Sequence, residues 1–313
     1  KIDAGTFLGT GKLDELKEKE ADVIIFDDEI SPNQQRNLEK FFQRPVIDRT
    51  ELIIEVFAQR AQTREARLQV ELAKVKYQLP RLKRLWTHLS RQAGSGGGGG
   101  SGGAYLRGAG ELQIELDRRM LRKRMQQLQK EIEDVQKQRE TQRQKRMRTG
   151  IPSFAIVGYT NAGKSTLLNA LTEAKVLVED KLFATLDTTT RKFTLPNRQE
   201  IVLVDTVGFI RKIPHTLVAA FKSTLEEALH TDILLHLIDA SHPAAEVQAE
   251  ATMHVLKELE AAERPTITVL NKIDACFNPA VLHKLRIKYP KTVRISALTR
   301  EGFEELLEKI NEN

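Results

Sequence analysis

The sequence predicts an α/β chain in three parts: a small N-terminal α/β unit, a long antiparallel helical hairpin with a Gly-rich tip, and a C-terminal domain on a mainly parallel sheet. Three observations carry this. Apolar residues recur on sevens through 68–89 and again through 114–135, the spacing of a helical seam. Residues 94–110 hold ten of the 18 glycines and so separate the two seams by a segment unsuited to fold alone. From residue 150 onward, short apolar runs alternate with helical patterns, as βαβ units do. With 313 residues, 40% of them hydrophobic, the chain can bury more than one core, which excludes a disordered or collagen-like protein.

The predicted boundaries are 1–50, 51–149 and 150–313. In the first part, 12–20 predicts a short helix and 23–26 a buried strand. Ser31-Pro32 offers an N-cap followed by Pro at the first helical position, opening a helix toward Phe42. A second strand is expected over 45–48. So short a unit has a marginal core and is expected to lean on the helices after it.

The helical pattern begins at Glu51. Leu68, Leu72, Val75, Leu79, Leu82, Trp86 and Leu89 form one seam, with Pro80 expected to kink the helix. Ile114, Leu121, Met125, Leu128, Ile132 and Val135 form the other, on a helix expected from about Glu111 to Met147. Two such helices joined by a Gly-rich loop bury their stripes against each other.

Net charge is +6, from 49 Lys and Arg against 43 Asp and Glu. Its distribution says more than its size. Residues 59–92 carry nine basic groups against two acidic ones, and 111–150 carry twelve against seven. A basic hairpin suits a phosphate backbone; a solvated coiled-coil face is the plainer alternative. No apolar run approaches the ~18 residues of a membrane helix, and no signal-peptide pattern opens the chain. The single Cys276 excludes a disulfide framework and fits a reducing compartment. A cytoplasmic monomer without stable membrane insertion is the expectation. The chain opens on Lys1 rather than Met, as expected for a piece of a longer protein.

The chemistry lies after residue 150. Apolar 154–157 predicts a strand, followed by Gly158-Tyr159-Thr160-Asn161-Ala162-Gly163-Lys164-Ser165 and then a helix from Thr166. This is G-x-x-x-x-G-K-[ST] in strand–loop–helix context. Its backbone N–H groups can close around phosphate oxygens, Lys164 can charge-stabilise the β- and γ-phosphates, and the Ser165 hydroxyl can ligate Mg²⁺. A strand over 201–204 ends in Asp205-Thr206-Val207-Gly208. There the carboxylate can hold Mg²⁺ through water and the Gly208 N–H can meet the γ-phosphate. The strand at 233–238 supplies sheet core. That at 266–270 ends in Asn271-Lys272-Ile273-Asp274, whose last carboxylate can accept two hydrogen bonds from guanine and would stand unpaired against adenine. A strand over 293–295 leads into Ser296-Ala297-Leu298, whose backbone can support the base carbonyl. Each motif alone is weak; four in order at successive strand ends predict a GTP-binding domain.

These four motifs resemble those of translation-factor-class GTPases. More narrowly, 158–166, Leu182-Phe183-Ala184-Thr185-Leu186-Asp187, Asp205-Thr206-Val207-Gly208-Phe209-Ile210-Arg211 and 214–221 resemble the HflX family. The likeness extends upstream through Gly110-Glu111 and Glu115-Leu116-Asp117-Arg118-Arg119, and so covers nearly the whole chain. Family members typically carry Pro and Thr where this chain has Ala109 and Leu112, and many bacterial members add a further C-terminal domain.

Of Thr185, Thr188, Thr189 and Thr190, all able to ligate Mg²⁺, the resemblance favours Thr185. Phe209 stands where many GTPases place a water-orienting Gln, so slow intrinsic hydrolysis and a missing group supplied by a partner are expected. Asn161 resembles the P-loop Asn of GTPases that recruit K⁺; a loop-stabilising side chain is the alternative. His215, Arg211 and Lys212 are expected to be capping or solvated groups. The resemblance implies a factor that binds the large ribosomal subunit and its rRNA and splits or recycles idle ribosomes. The alternatives are a GTP-regulated scaffold whose hairpin binds a protein or membrane, and an ATP-driven RNA remodeller, against which Asp274 argues.

Overall fold

The computed structural model describes residues 3–82, 103–147, 150–172, 189–211, 217, 230–276, 279–289 and 292–312. Two compact units emerge: the described residues of 1–59, 67–134 and 214–220, and those of 60–66, 135–213 and 221–313.

The first unit opens with helix α1 (Thr10–Lys17) and a small βαβ element: strand β1 (Ile24–Phe26), helix α2 (Pro32–Phe42) and strand β2 (Val46–Asp48). The strands pair in parallel, Ile24 opposite Val46 and Phe26 opposite Asp48. The expected start of α2 is realised as a reciprocal capping box. The Gln34 N–H donates to Ser31 Oγ at 3.2 Å and the Ser31 N–H to Gln34 Oε1 at 2.9 Å, with Pro32 in the first turn. Leu13, Phe26, Ile30, Leu38, Phe42 and Val46 form its core.

Helix α3 (Arg49–Arg60) comes next, then α4 (Arg64–Gln78) and a 3₁₀ turn (Leu79–Arg81). The helical pattern expected to run on from Glu51 is therefore broken at 61–63, where the Thr63 hydroxyl accepts the Ala66 N–H at 3.1 Å and starts a new helix. At Pro80 the α-helix gives way to the 3₁₀ turn, where the missing N–H costs no regular α-helical bond. Helix α5 (Gly103–Met147) begins well before the expected Glu111. Extending an established helix costs little once it is nucleated, and Ala104, Leu106 and Arg107 are good helix formers. Glycine content thus misplaced this boundary; 83–102, with Trp86 and Leu89, lie outside the described residues.

The seam forms largely as the heptads predict. Leu68, Leu72 and Val75 bury against Leu128 and Ile132, flanked by Leu121 and Met125. Glu71 takes both arms of the Arg124 guanidinium at 2.7 and 2.8 Å, and Glu65 meets Arg139 at 2.8 Å. Rising numbers on α4 match falling numbers on α5, so the helices are antiparallel.

At the end of α4 the structure corrects the charge reading. Arg81, expected to add to the basic face, is buried. Its guanidinium donates to Gln35 Oε1 (3.0 Å), the Ile30 carbonyl (2.8 Å) and Asp48 Oδ2 (3.2 Å), and lies 3.7 Å from the Tyr77 ring centroid. Tyr77 Oη donates toward Asp48 Oδ1 (3.1 Å) and Glu51 Oε2 (3.0 Å). Burial, with Asp48 adding to it, pushes the Tyr77 hydroxyl far above its usual range. One arginine thereby ties the root of the hairpin to α2 and β2.

The second unit is a six-stranded sheet in the order β4-β5-β3-β6-β7-β8. The strands are β3 (Ser153–Gly158), β4 (Thr189–Thr194), β5 (Glu200–Asp205), β6 (Ile233–Asp239), β7 (Thr266–Asn271) and β8 (Thr292–Arg294). Every pairing is parallel except β4 with β5. Among the described residues, its helices are α6 (Lys164–Thr172), α7 (Ala245–Glu258), α8 (Pro279–Lys288) and α9 (Phe303–Asn311). Strand β3 lies between β5 and β6, so its C-terminal end is where the strand order reverses, the place for ligands in such sheets. Burial on both faces explains the near-continuous apolar strands: all seven residues of β6 are buried.

Candidate nucleotide site

The predicted motifs emerge together at the C-terminal ends of the parallel strands. Gly158 ends β3; Tyr159, Thr160, Asn161, Ala162 and Gly163 form the loop; Lys164, Ser165 and Thr166 open α6. Asp205 ends β5, with Thr206, Val207 and Gly208 beyond it; Asn271 ends β7, followed by Lys272 and a 3₁₀ turn (Ile273–Ala275) that holds Asp274. Ser296, Ala297 and Leu298 come after β8. Phe183, Ala184, Thr185, Leu186 and Asp187, with Thr188, Lys212 and His215, lie outside the described residues. Thr189 and Thr190 sit in β4, opposite Asp205 and Val204.

The loop is held tightly. Its turn places Asn161 at φ 63°, a left-handed conformation that Asn tolerates. Gly163 has φ +93°, and a Cβ there would meet Asn271 Nδ2 at 2.3 Å; a Cβ on Gly208 would meet Thr160 at 2.8 Å and Lys164 Nζ at 3.0 Å. Both glycines are demanded by close approach. The Phe209 N–H donates to the Gly158 carbonyl at 3.1 Å and the Thr160 N–H to the Phe209 carbonyl at 2.8 Å. The Arg211 N–H donates to Tyr159 Oη at 3.1 Å. The segment after Asp205 is thus pinned to the loop, with the Phe209 ring buried.

Within this frame Lys164 is buried and donates to the Tyr159 carbonyl at 3.0 Å. Burial lowers its amine to about 8, while Asp205 pulls it back up. The Ser165 hydroxyl donates to Asp205 Oδ2 at 2.6 Å. The Thr206 hydroxyl donates to the Ile156 carbonyl at 2.8 Å, fixing the strand end. Asn271 joins two motifs: its amide donates to the Ala162 carbonyl at 2.8 Å, and its Oδ1 accepts the Ala297 N–H at 2.9 Å. With the Ala297 N–H so engaged, the exposed Leu298 offers the next backbone donor. Asp274 is exposed at the surface.

Sequence reasoning missed one member of this cluster. Asp239, at the end of β6, accepts the Ser241 N–H (3.0 Å) and hydroxyl (2.6 Å) and pairs with Lys272 at 2.8 Å. Lys272 itself sits at φ 61°, and the Ala240 N–H donates to the Asn271 carbonyl at 2.9 Å. The turn after β6 therefore clasps the Asn271–Asp274 segment. The signal was available: an acidic residue ends an apolar strand at the same sheet edge, as Asp205 does.

Comparison with known proteins agrees with this geometry. Three family descriptions match consecutive stretches: "GTP-binding GTPase N-terminal" over 1–58, "GTP-binding GTPase Middle Region" over 60–146 and "50S ribosome-binding GTPase" over 153–272. GTPase HflX of Chlamydia pneumoniae is 54% identical over 99% of this chain, which spans 66% of that protein. GTPase HflX of Escherichia coli K12 is 48% identical over 98% of the chain, which spans 71% of it. A solved GTP-binding protein from Sulfolobus solfataricus in complex with GDP is 28% identical at a TM-score of 0.52, with 100% of this chain and 87% of that one covered. A second solved structure, the SsGBP–GDP complex, is 28% identical at a TM-score of 0.55, with 99% and 86% covered. With about half its residues identical to such relatives over nearly its whole length, the chain belongs to the HflX family of GTPases.

Proposed function

We propose that this chain binds GTP with Mg²⁺, hydrolyses it slowly alone and faster on the large ribosomal subunit, and uses the nucleotide state to engage and release that subunit, splitting or recycling stalled or idle ribosomes. The observation that most supports the nucleotide part is the stitching of four strand-end motifs around Lys164, Ser165 and Asp205 by Asn271 and the Phe209 backbone. In this reading Gly158–Ser165 backbone N–H groups and Lys164 hold the phosphates, Gly208 meets the γ-phosphate, Asp274 reads guanine and the Leu298 N–H supports the base carbonyl.

Magnesium fits the residues present. A hydroxyl and a carboxylate oxygen lie 2.6 Å apart at Ser165 and Asp205, the hard-oxygen donors that Mg²⁺ prefers. Ser165, Asp205 through water and Thr185 would hold it, and the ion would neutralise charge building on the phosphates. Asn161 is proposed to recruit K⁺ beside them. Its left-handed backbone, however, equally suits a loop-stabilising role, and replacing K⁺ with Na⁺ separates the two.

Phe209 is buried and its ring carries no hydrogen-bonding group, so the side chain at that position cannot orient water. The ribosome is proposed to supply or order the missing group, and the basic hairpin to meet rRNA, with its Gly-rich tip entering a confined part of the subunit. The protein would act as a cytoplasmic monomer. Among the described residues no helix is long and apolar enough to cross a membrane. GTP hydrolysis measured alone and with purified large subunits in K⁺ buffer, beside Lys164→Ala, tests the reading. Stimulation lost in that variant supports it; absence of both stimulation and nucleotide-dependent co-sedimentation overturns it.

A further inference from the structure

The sequence of the hairpin shows where charge is concentrated; the structure sorts which charges are available. Residues 118–130 contain six Lys and Arg and no Asp or Glu. Two of the six are already engaged: Arg118 with Glu115 at 2.9 Å, and Arg124 with Glu71 across the seam. Of the other four, Arg122 is exposed to one side of the helix, about 60° round from Arg119, and Arg119, Lys123 and Lys130 stand together. All three are exposed, and none has a carboxylate partner among the described residues. With Gln126, also exposed, they step by 4, 3 and 4 along α5 and so share one face. At about 100° per residue that face lies opposite the stripe of Leu121, Met125, Leu128 and Ile132 buried against α4.

We propose that this outer ridge of α5 is an RNA-contact face, in which Arg119, Lys123 and Lys130 pair with phosphates. The proposal rests on the reading of the hairpin as rRNA-binding and deepens it by naming the face. A linear row of uncompensated cations over about 16 Å complements an extended polyanion, and its association is strengthened by counterion release. Gln126, within the row, can hydrogen-bond sugar or base edges. Leu116 and Met120 at its N-terminal end are 44% and 67% exposed, apolar surface that bases or riboses can cover. A membrane-lying helix would need a continuous apolar stripe instead.

The test compares Arg119→Gln/Lys123→Gln/Lys130→Gln with a charge-matched control on the second unit, Lys257→Gln/Lys284→Gln/Arg286→Gln. Two probes are used across a salt series: a labelled rRNA hairpin followed by anisotropy, and large subunits followed by pelleting. Basal GTP hydrolysis and melting temperature verify folding. The ridge variant should bind the RNA hairpin at least about tenfold more weakly, with the slope of log affinity against log salt reduced by roughly 2, while the control stays near wild type. Equal loss in both variants, loss in neither, or no RNA binding by the wild type overturns the ridge. Ridge-dependent RNA binding without subunit binding supports the ridge and sinks the ribosomal reading.

Discussion

The nucleotide end of the parallel sheet and the root of the helical hairpin both bury charged side chains, but they connect them differently. Around Lys164 the polar groups come from short consecutive motifs, and most partners are backbone atoms: the Tyr159, Ala162, Gly158 and Phe209 carbonyls. Around Arg81 the partners come from α2, β2 and the chain just before α2, far apart in sequence: Gln35, Ile30 and Asp48. A loop that receives a ligand needs fixed backbone donors and one cation free to meet an anion. A junction between elements needs its charge fully satisfied. The first arrangement leaves a motif in the sequence and the second leaves none.

The contrast can be broken at Arg81 with the largest expected effect. Arg81→Met strands Asp48 in the core and should cost about 3–5 kcal/mol of the first unit's stability, read by urea denaturation. Arg81→Met/Asp48→Asn should recover part of this, since the uncompensated charge is then removed as well. Lys164→Ala should instead leave stability nearly unchanged and lower GTP hydrolysis by about 10²–10³-fold, read in single-turnover assays. Equal destabilisation by both changes would erase the distinction between a structural and a ligand-directed buried cation.

A third buried group refines the comparison. His236 lies inside β6, its ring 5.7 Å from that of Tyr289 and neither ring nitrogen hydrogen-bonded. Burial lowers its pKa from 6.5 to about 4. Because the folded value is depressed, the unfolded chain binds the proton first, and stability falls as pH drops through the window from about 6.5 to 4. Acidification from pH 6.5 to 5 should cost on the order of 2 kcal/mol, and His236→Leu should flatten that dependence in thermal melts. The smallest effect is expected at the Asp239 clasp. Asp239→Asn should speed GDP release about fivefold, near 1 kcal/mol for a partly exposed ion pair; an equal effect in a Lys272→Ala background would show that the pair is not coupled.

Much of the second unit was legible because its site is built from contiguous residues at strand ends. Gly158 to Ser165, Asp205 to Gly208 and Asn271 to Asp274 carry their spacing within single short stretches of chain. Asp239 was not singled out: it ends an apolar strand as Asp205 does, but its partner Lys272 is distant in sequence and nothing beside either residue ties the two together. In the first unit the heptads predicted the seam, and Ser31 with Pro32 predicted the helix start. The early start of α5 at Gly103 was hidden by glycine content, since composition reports intrinsic preference while an established helix extends past it. Arg81 was counted as surface charge because burial depends on Asp48 and Gln35, which periodicity on α4 does not reveal.

In the proposed function, the Asn271–Asp274 segment reads guanine in the frame set by Asn271 and Asp239. Binding of GDP and of xanthosine diphosphate to the wild type and to Asp274→Asn, by titration calorimetry, tests it directly. Asparagine would present a donor to the xanthine 2-carbonyl in place of an acceptor for the guanine amino group. The variant should lose GDP affinity by at least about 100-fold and gain xanthosine diphosphate binding. A variant that binds GDP as tightly as the wild type would contradict it.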